Sequence, residues 1–279
     1  MKLKMRVGIL VVASLLSQIA RAQSAAPPAK PVAPAKSPFQ SGRPPLKTRP
    51  SGNKEIIHTV ADAMGFVRGF GPFQNTDSLN RLQWLGRGTM WSDGHKYEIV
   101  KYSYAMTLDL NGAREDIQRK AADGKSDRVI HAFLGSDAWN ETMPGVGQTP
   151  EPGQAEARHL EFLFTPFGFT KALLKADPTT VKIDDPGPGG KVTIAVTLDG
   201  TPFAATLDGD YRPALISATA NGQKVETLYS NYSDLAGYGV MFPTHIVQKI
   251  SGRPTLDLTI DDGRVSSYLI LQPPGTGGN

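Results

Sequence analysis

The chain has no cysteine among its 279 residues. Neither a disulfide staple nor a lipid-modified cysteine behind a leader is therefore possible, and the folded part must be held by its core. Catalytic motifs are missing as well. The five histidines (58, 95, 131, 159, 245) form no His-x-His, no His-Glu-x-x-His and no pair at helical ligand spacing, which leaves no zinc motif. There is no Gly-x-Ser-x-Gly elbow. Gly124-Lys125-Ser126 has the ending of a phosphate loop, but the position of its first glycine is held by Arg119. The paired acids Asp184-Asp185 and Asp261-Asp262 stand beside Pro186-Gly187 and Gly263, where ordinary turn chemistry accounts for them better than calcium does. These absences predict a protein that is not an enzyme and uses no metal or cofactor.

Long hydrophobic runs are scarce too. The mainly apolar stretch Val7–Ile19 follows Lys2, Lys4 and Arg6 and precedes Ala20-Arg21-Ala22, the small-x-small pattern of a signal-peptidase site. Residues 1–22 are thus expected to be a signal peptide cleaved before Gln23, with the mature protein periplasmic or secreted. Thirteen helical residues rise about 20 Å, short of a bilayer core of roughly 30 Å, so an integral membrane protein is not expected.

Excess positive charge is also absent once the leader is gone. Four of the 30 basic residues (Lys2, Lys4, Arg6, Arg21) leave with it, which balances the remaining 26 against 26 acidic ones. Residues 23–52 hold eight prolines and five basic residues without an acid, and are predicted to be a disordered, partly polyproline tether. Residues 53–279 carry 21 basic against 26 acidic residues, and that sign excludes nucleic acid as a partner.

What is present is alternation. In Lys191–Leu198 the apolar residues Val192, Ile194, Val196 and Leu198 share one face, and Asp199-Gly200 turns this strand into Thr201–Leu207. Ala214–Ala220 and Gln223–Tyr229 flank Asn221-Gly222 in the same way, and Thr255–Ile260 repeats the pattern. Upstream, Leu82–Trp91 turns at Ser92-Asp93-Gly94 into a long strand over Tyr97–Leu110. From Val100 onward that strand sets Val100, Tyr102, Tyr104, Met106, Leu108 and Leu110 on one face. Arg128–Leu134 and Gly135–Glu141 are further strand candidates.

Two helical regions interrupt the strands. Lys54–Val67 places Ile57, Val60, Ala61, Met64 and Val67 on one face, with Gly69 and Gly71 beyond its end. Glu156–Leu174 is rich in Leu and Phe and breaks at Pro166 into two short helices. The pattern predicts a mainly β (α+β) domain over 53–271. Its architecture is a strongly curved antiparallel half-barrel with an N-terminal helix and a mid-chain helical roof; residues 272–279 form a disordered tail. The candidate ligand-binding surface is Tyr102, Tyr104, Met106 and Leu108 on the long strand, under Phe164, Phe167 and Phe169 of the roof.

The order of these elements, with Thr165-Pro166-Phe167-Gly168-Phe169, Tyr232-Ser233-Asp234, Gly239, Phe242-Pro243, Ile246 and Leu256-Asp257-Leu258, resembles the LolA/LolB-like superfamily of periplasmic lipoprotein-sorting proteins. The resemblance spans roughly residues 53–271 and is structural in kind. It implies a half-barrel whose apolar concavity accepts a hydrophobic ligand or the acyl chain of a lipoprotein. The alternative expectation is a non-catalytic module that binds a cell-envelope protein, its concavity filled by its own side chains.

Overall fold

The computed structural model describes residues 49–67 and 79–275. The expected signal peptide and the tether up to residue 48 lie outside the described residues.

Thirteen strands form one antiparallel sheet: β1 (Arg81–Ser92), β2 (His95–Thr107), β3 (Gly112–Ala121), β4 (Ser126–Leu134), β5 (Asp137–Asn140), β6 (Thr149–Pro150), β7 (Lys182–Asp184), β8 (Thr193–Leu198), β9 (Thr201–Leu207), β10 (Pro213–Ala220), β11 (Gln223–Ser233), β12 (Phe242–Ile250) and β13 (Arg253–Val265). Their order is β6-β5-β4-β3-β2-β1-β13-β12-β11-β10-β9-β8-β7, two meanders joined where the first strand pairs with the last. The sheet is a mainly β, open, curved half-barrel, as the alternation predicts. Its edges are its shortest strands, two residues at β6 and three at β7, which leaves little ladder free to recruit another chain.

The hairpins follow their turn residues. Asp93-Gly94, Asp199-Gly200, Asn221-Gly222 and Ser251-Gly252 all carry positive φ at both positions, the geometry whose twist matches paired strands. Where β1 joins the two meanders, Gly88 lets the chains close up: a Cβ there would lie 2.0 Å from the Asp257 carbonyl oxygen. Register shifts flank this site on both sides, between Leu85 and Gly86 against β13 and between Gly86 and Gly88 against β2. Such bulges sharpen local twist and bend a long pleat.

The bulge changes one expectation. Pairing of β2 with β3 slips between Ile99 and Lys101, so Val100 falls out of the alternation and is 50% exposed. Leu110 lies beyond the end of β2 and is 63% exposed. The inward face before the slip is carried by Ile99 and after it by Tyr102, Tyr104 and Met106.

Helix α1 (Asn53–Ala63) buries Ile56, Ile57, Val60 and Ala61 and stops at Gly65 rather than near Gly69, with the Phe66 amide closing on the Ala61 carbonyl. Helices α2 (Ala155–Leu163) and α3 (Pro166–Lys175) meet at Thr165, whose Oγ1 caps α3 by accepting from the Gly168 amide at 2.9 Å, with Pro166 at the first helical position. Gly168 is required by this sharp joint, because a Cβ there would sit 2.1 Å from the Phe162 carbonyl oxygen. All three helices lie on the inner face, over one continuous apolar core. Both ends of the domain reach into segments expected to be free. Arg49 Nε donates to Asp185 at 2.9 Å and Pro50 is buried, while the Gln272 carbonyl accepts from Gln148 Nε2 at 2.7 Å.

Candidate functional site

The seven residues expected to line a ligand cavity are 0–6% exposed. They fall into two groups. Trp84 stacks on Tyr104 at 5.1 Å and meets Phe167 at 5.9 Å, and Phe167 continues to Phe242 at 5.3 Å. Phe164 and Phe169 turn the other way, onto Phe203 of β9 at 5.2 and 6.4 Å. Met106 and Leu108 are wholly covered. In this structure the side chains of the roof and of the long strand fill the space between them.

Beside this core the sheet carries a row of polar and ionisable side chains. The sheet register lines up Trp84, Tyr104, Glu115 and His131 across β1 to β4. Helix α2 crosses this row. Arg158 enters beneath it and is held by three acceptors: the Trp139 carbonyl at 2.6 Å, the Ala132 carbonyl at 2.8 Å and Asn140 Oδ1 at 2.8 Å. Glu161, three residues on and therefore on the same face of α2, faces Glu115. Tyr102 donates to Glu115 Oε1 at 2.8 Å, and His131 Nδ1 stands 4.0 Å from Glu115 Oε2.

Electrostatics follows from this crowding. Glu161 is solvent-exposed on the surface of α2; its carboxyl is pushed up to about 7, by partial loss of hydration first and by repulsion from Glu115 second, against the opposing pull of Arg158. Contact with water tempers the size of that rise without changing its direction. Glu115 is raised by loss of hydration, offset by the Tyr102 hydrogen bond and by Arg158. Burial, aided by the positive charges of Arg158 and Arg119, lowers His131 to about 4, so its imidazole is neutral at physiological pH.

One buried polar group in this row lacks a partner among the described residues. Trp84 Nε1 is closed off from solvent without an acceptor. The neighbouring Tyr104 hydroxyl feels the charges of Glu115 and Glu161 through space. Unmet hydrogen-bonding capacity in a native interior calls for water, an ion or a ligand.

Sequence reasoning finds the two tyrosines but misses Glu115, His131, Arg158 and Glu161. The available signal is the pair Arg158 and Glu161 on a helix that otherwise turns Phe162 and Leu163 into the core. A hollow of about 220 Å³ lies between α2, α3 and the β8–β9 turn. It contains none of the seven predicted residues, and it is crossed by two ion pairs, His159 with Asp199 at 2.7 Å and Lys171 with Asp109 at 2.7 Å.

Among the described residues no three His, Asp or Glu side chains are placed to hold a metal ion. No helix among them is long and apolar enough to cross a membrane. No protein-family model and no curated protein matches the chain.

Proposed function

We propose that this chain is an exported, non-enzymatic module of the cell envelope that binds an envelope partner and is built on a self-filled half-barrel. One observation carries this reading: the aromatic side chains that would wall an acyl cavity are themselves core, with Phe167 fully covered by Phe66, Trp84 and Phe242. Burying that ring is worth roughly 1.5–3 kcal/mol, a gain that an empty cavity would forfeit. The polar row of Glu115, His131, Arg158 and Glu161 has no nucleophile beside a base. Its imidazole is 4.0 Å from the nearest carboxylate and keeps its proton balance fixed near neutrality.

A specific feature favours a second reading, carriage of an acyl chain as in the LolA/LolB-like superfamily. Helices α2 and α3 connect β6 to β7, the two free edges of the open sheet. A unit inserted between edges can lift without breaking any strand pairing, and it would take Phe164, Phe167 and Phe169 with it.

A hydrophobic fluorescent probe and native mass spectrometry of protein from its own host separate the two. The module reading expects folded wild type to bind no probe and to carry no lipid, and Phe167→Asp to unfold, since a charge would replace a fully buried ring. Probe binding by the folded wild type, or lipid retained on it, overturns the module reading in favour of the carrier.

A further inference from the structure

We propose that the hollow between α2, α3 and the β8–β9 turn is a binding site for a short-chain carboxylate, its head held by Lys175 and Asn111 and its apolar body lying along α3. This goes beyond the module reading and does not depend on it.

The hollow originates in the sequence of α3. Gly168, Ala172 and Ala176 follow one another at steps of four and share one side of the helix, which leaves that side without a side chain longer than a methyl group. The adjoining stripe carries Lys171 and Lys175 at the same step. Facing them, Phe162 and Leu163 from α2 and Leu198 from the end of β8 are 1–5% exposed. Small side chains on one wall and large buried ones on the other leave about 220 Å³ between them. Gly168 is fixed by the joint with α2, but a helix interior accepts leucine almost as well as alanine, so position 172 keeps open a space that a larger side chain could fill.

The wall sorts its polar groups into engaged and free. His159 is joined to Asp199 at 2.7 Å, and Lys171, 2% exposed, donates to Asp109 at 2.7 Å. These pairs fix α2 to the β8–β9 turn and α3 to the turn between β2 and β3. Lys175 and the side chain of Asn111 have no partner among the described residues. The free groups are therefore an ammonium and an amide, while the carboxylate of the wall, Asp199, is turned to His159.

Charge, shape and size select the ligand. A cationic ligand would meet two lysines. A divalent metal ion needs six or more oxygen ligands, and the described residues offer no cluster of three. A phosphate has no apolar body to lay on Phe162, Leu163 and Leu198, and its second charge would face Asp199. A carboxylate accepts from Lys175 and from Asn111 Nδ2 in charge-assisted contacts, and its chain covers the apolar wall. At about 30 Å³ for each water the space equals roughly seven waters, which suits a chain of about six carbons. It is smaller than the ~300 Å³ from which sites for drug-sized ligands begin, and too small for a long acyl chain or a hydrophobic fluorescent probe. The outcome is thus separate from the one that decides between module and carrier.

Isothermal titration of the mature protein with sodium hexanoate tests the assignment, with sodium acetate, 1-hexanol and hexylammonium chloride as comparison titrants. Saturable binding of hexanoate is expected, with each comparison titrant weaker by about tenfold or more, since each lacks either the head or the body. Lys175→Gln, an exposed substitution, should weaken hexanoate about tenfold, whereas Lys54→Gln on the surface of α1 should leave it unchanged. Ala172→Leu fills the hollow and should abolish binding while the circular dichroism spectrum stays that of wild type; if that variant does not fold, Lys175→Gln decides. No saturable binding of hexanoate, equal binding of hexanol or hexylammonium, or binding unchanged in Lys175→Gln each overturns the carboxylate site.

Discussion

The two meanders that meet at β1 and β13 are built from the same pleat and bury their residues differently. In β8 burial alternates without exception, Ile194, Val196 and Leu198 inward and Thr193, Ala195 and Thr197 outward. In β2 every residue from Tyr102 to Thr107 is buried. The regular meander has a core on one face. The other meander is covered on both, by α2 on the inside and on the outside by the loop after Asn140 and the segment after β13, where Arg114 Nη2 donates to the Ile270 carbonyl at 2.9 Å. Beneath that outer cover Trp139 is fully buried and donates to Glu141 Oε1 at 2.8 Å, and Arg114 grips the same carboxylate through two bonds of 2.8 and 2.9 Å. A strand enclosed on both sides can hold charges away from water, and every unusual ionisable group of the candidate site belongs to this meander or to the helix packed on it. Breakdown of alternation thus marks the half that carries the candidate site.

The sharpest way to break this contrast is to remove one partner of the outer pair. Glu141→Ala strips the Arg114 guanidinium of its carboxylate, leaving it only the Ile270 carbonyl, and leaves the Trp139 indole N–H buried without an acceptor; it is expected to cost about 3–5 kcal/mol. Thr197→Ala on the outward face of β8 should stay within about 0.5 kcal/mol. Urea unfolding of the two variants checks the pair, and equal losses would remove the distinction between the meanders.

The regular meander is also the half that the sequence makes legible. Its strands alternate and its turns carry Asp-Gly and Asn-Gly, so local chemistry and tertiary placement agree. The other half hides its strands. Residues 112–121 read GAREDIQRKA, and five charged residues in ten mask the inward set Ala113, Glu115 and Ile117, so β3 has no counterpart in the sequence reading. Glu115 goes unread with it. Val100 fits the alternation by type but not by register, because a bulge at Gly86–Gly88 in the neighbouring strand is a property of packing that composition does not report. The aromatic roof is legible as apolar and helical. Whether apolar residues wall a cavity or fill it depends on the fit between elements, which no single segment encodes.

A smaller effect sharpens the contrast from the regular side. Gly222 has φ +74° and open space around its missing Cβ, so the cost of Gly222→Val is one of backbone conformation alone. The expected loss is about 1–2 kcal/mol, from placing a β-branched residue in the left-handed region. Differential calorimetry reads it as a lowered melting temperature. An unchanged value would mean that this turn does not fix the register of β10 and β11.

The smallest effect is a difference in slope with pH. Glu161 has its carboxyl raised from an ordinary 4.5 to about 7, so between those values the folded protein binds more protons than the unfolded chain. Its contribution is therefore most favourable below pH 4.5 and is lost as pH rises through about 7. Glu161→Gln removes that loss, and the variant should gain stability over wild type toward pH 7 while matching it near pH 4.5. His131 works in the opposite sense: lowered from 6.5 to about 4, it favours the fold fully above pH 6.5 and loses this as pH falls through about 4. His131→Gln should accordingly gain on wild type toward acid. Urea midpoints measured every half unit from pH 4 to 8 give both differences, and parallel curves for the three proteins would mean that water solvates this polar row as freely as any outer surface, leaving neither Glu161 nor His131 within the protein's field.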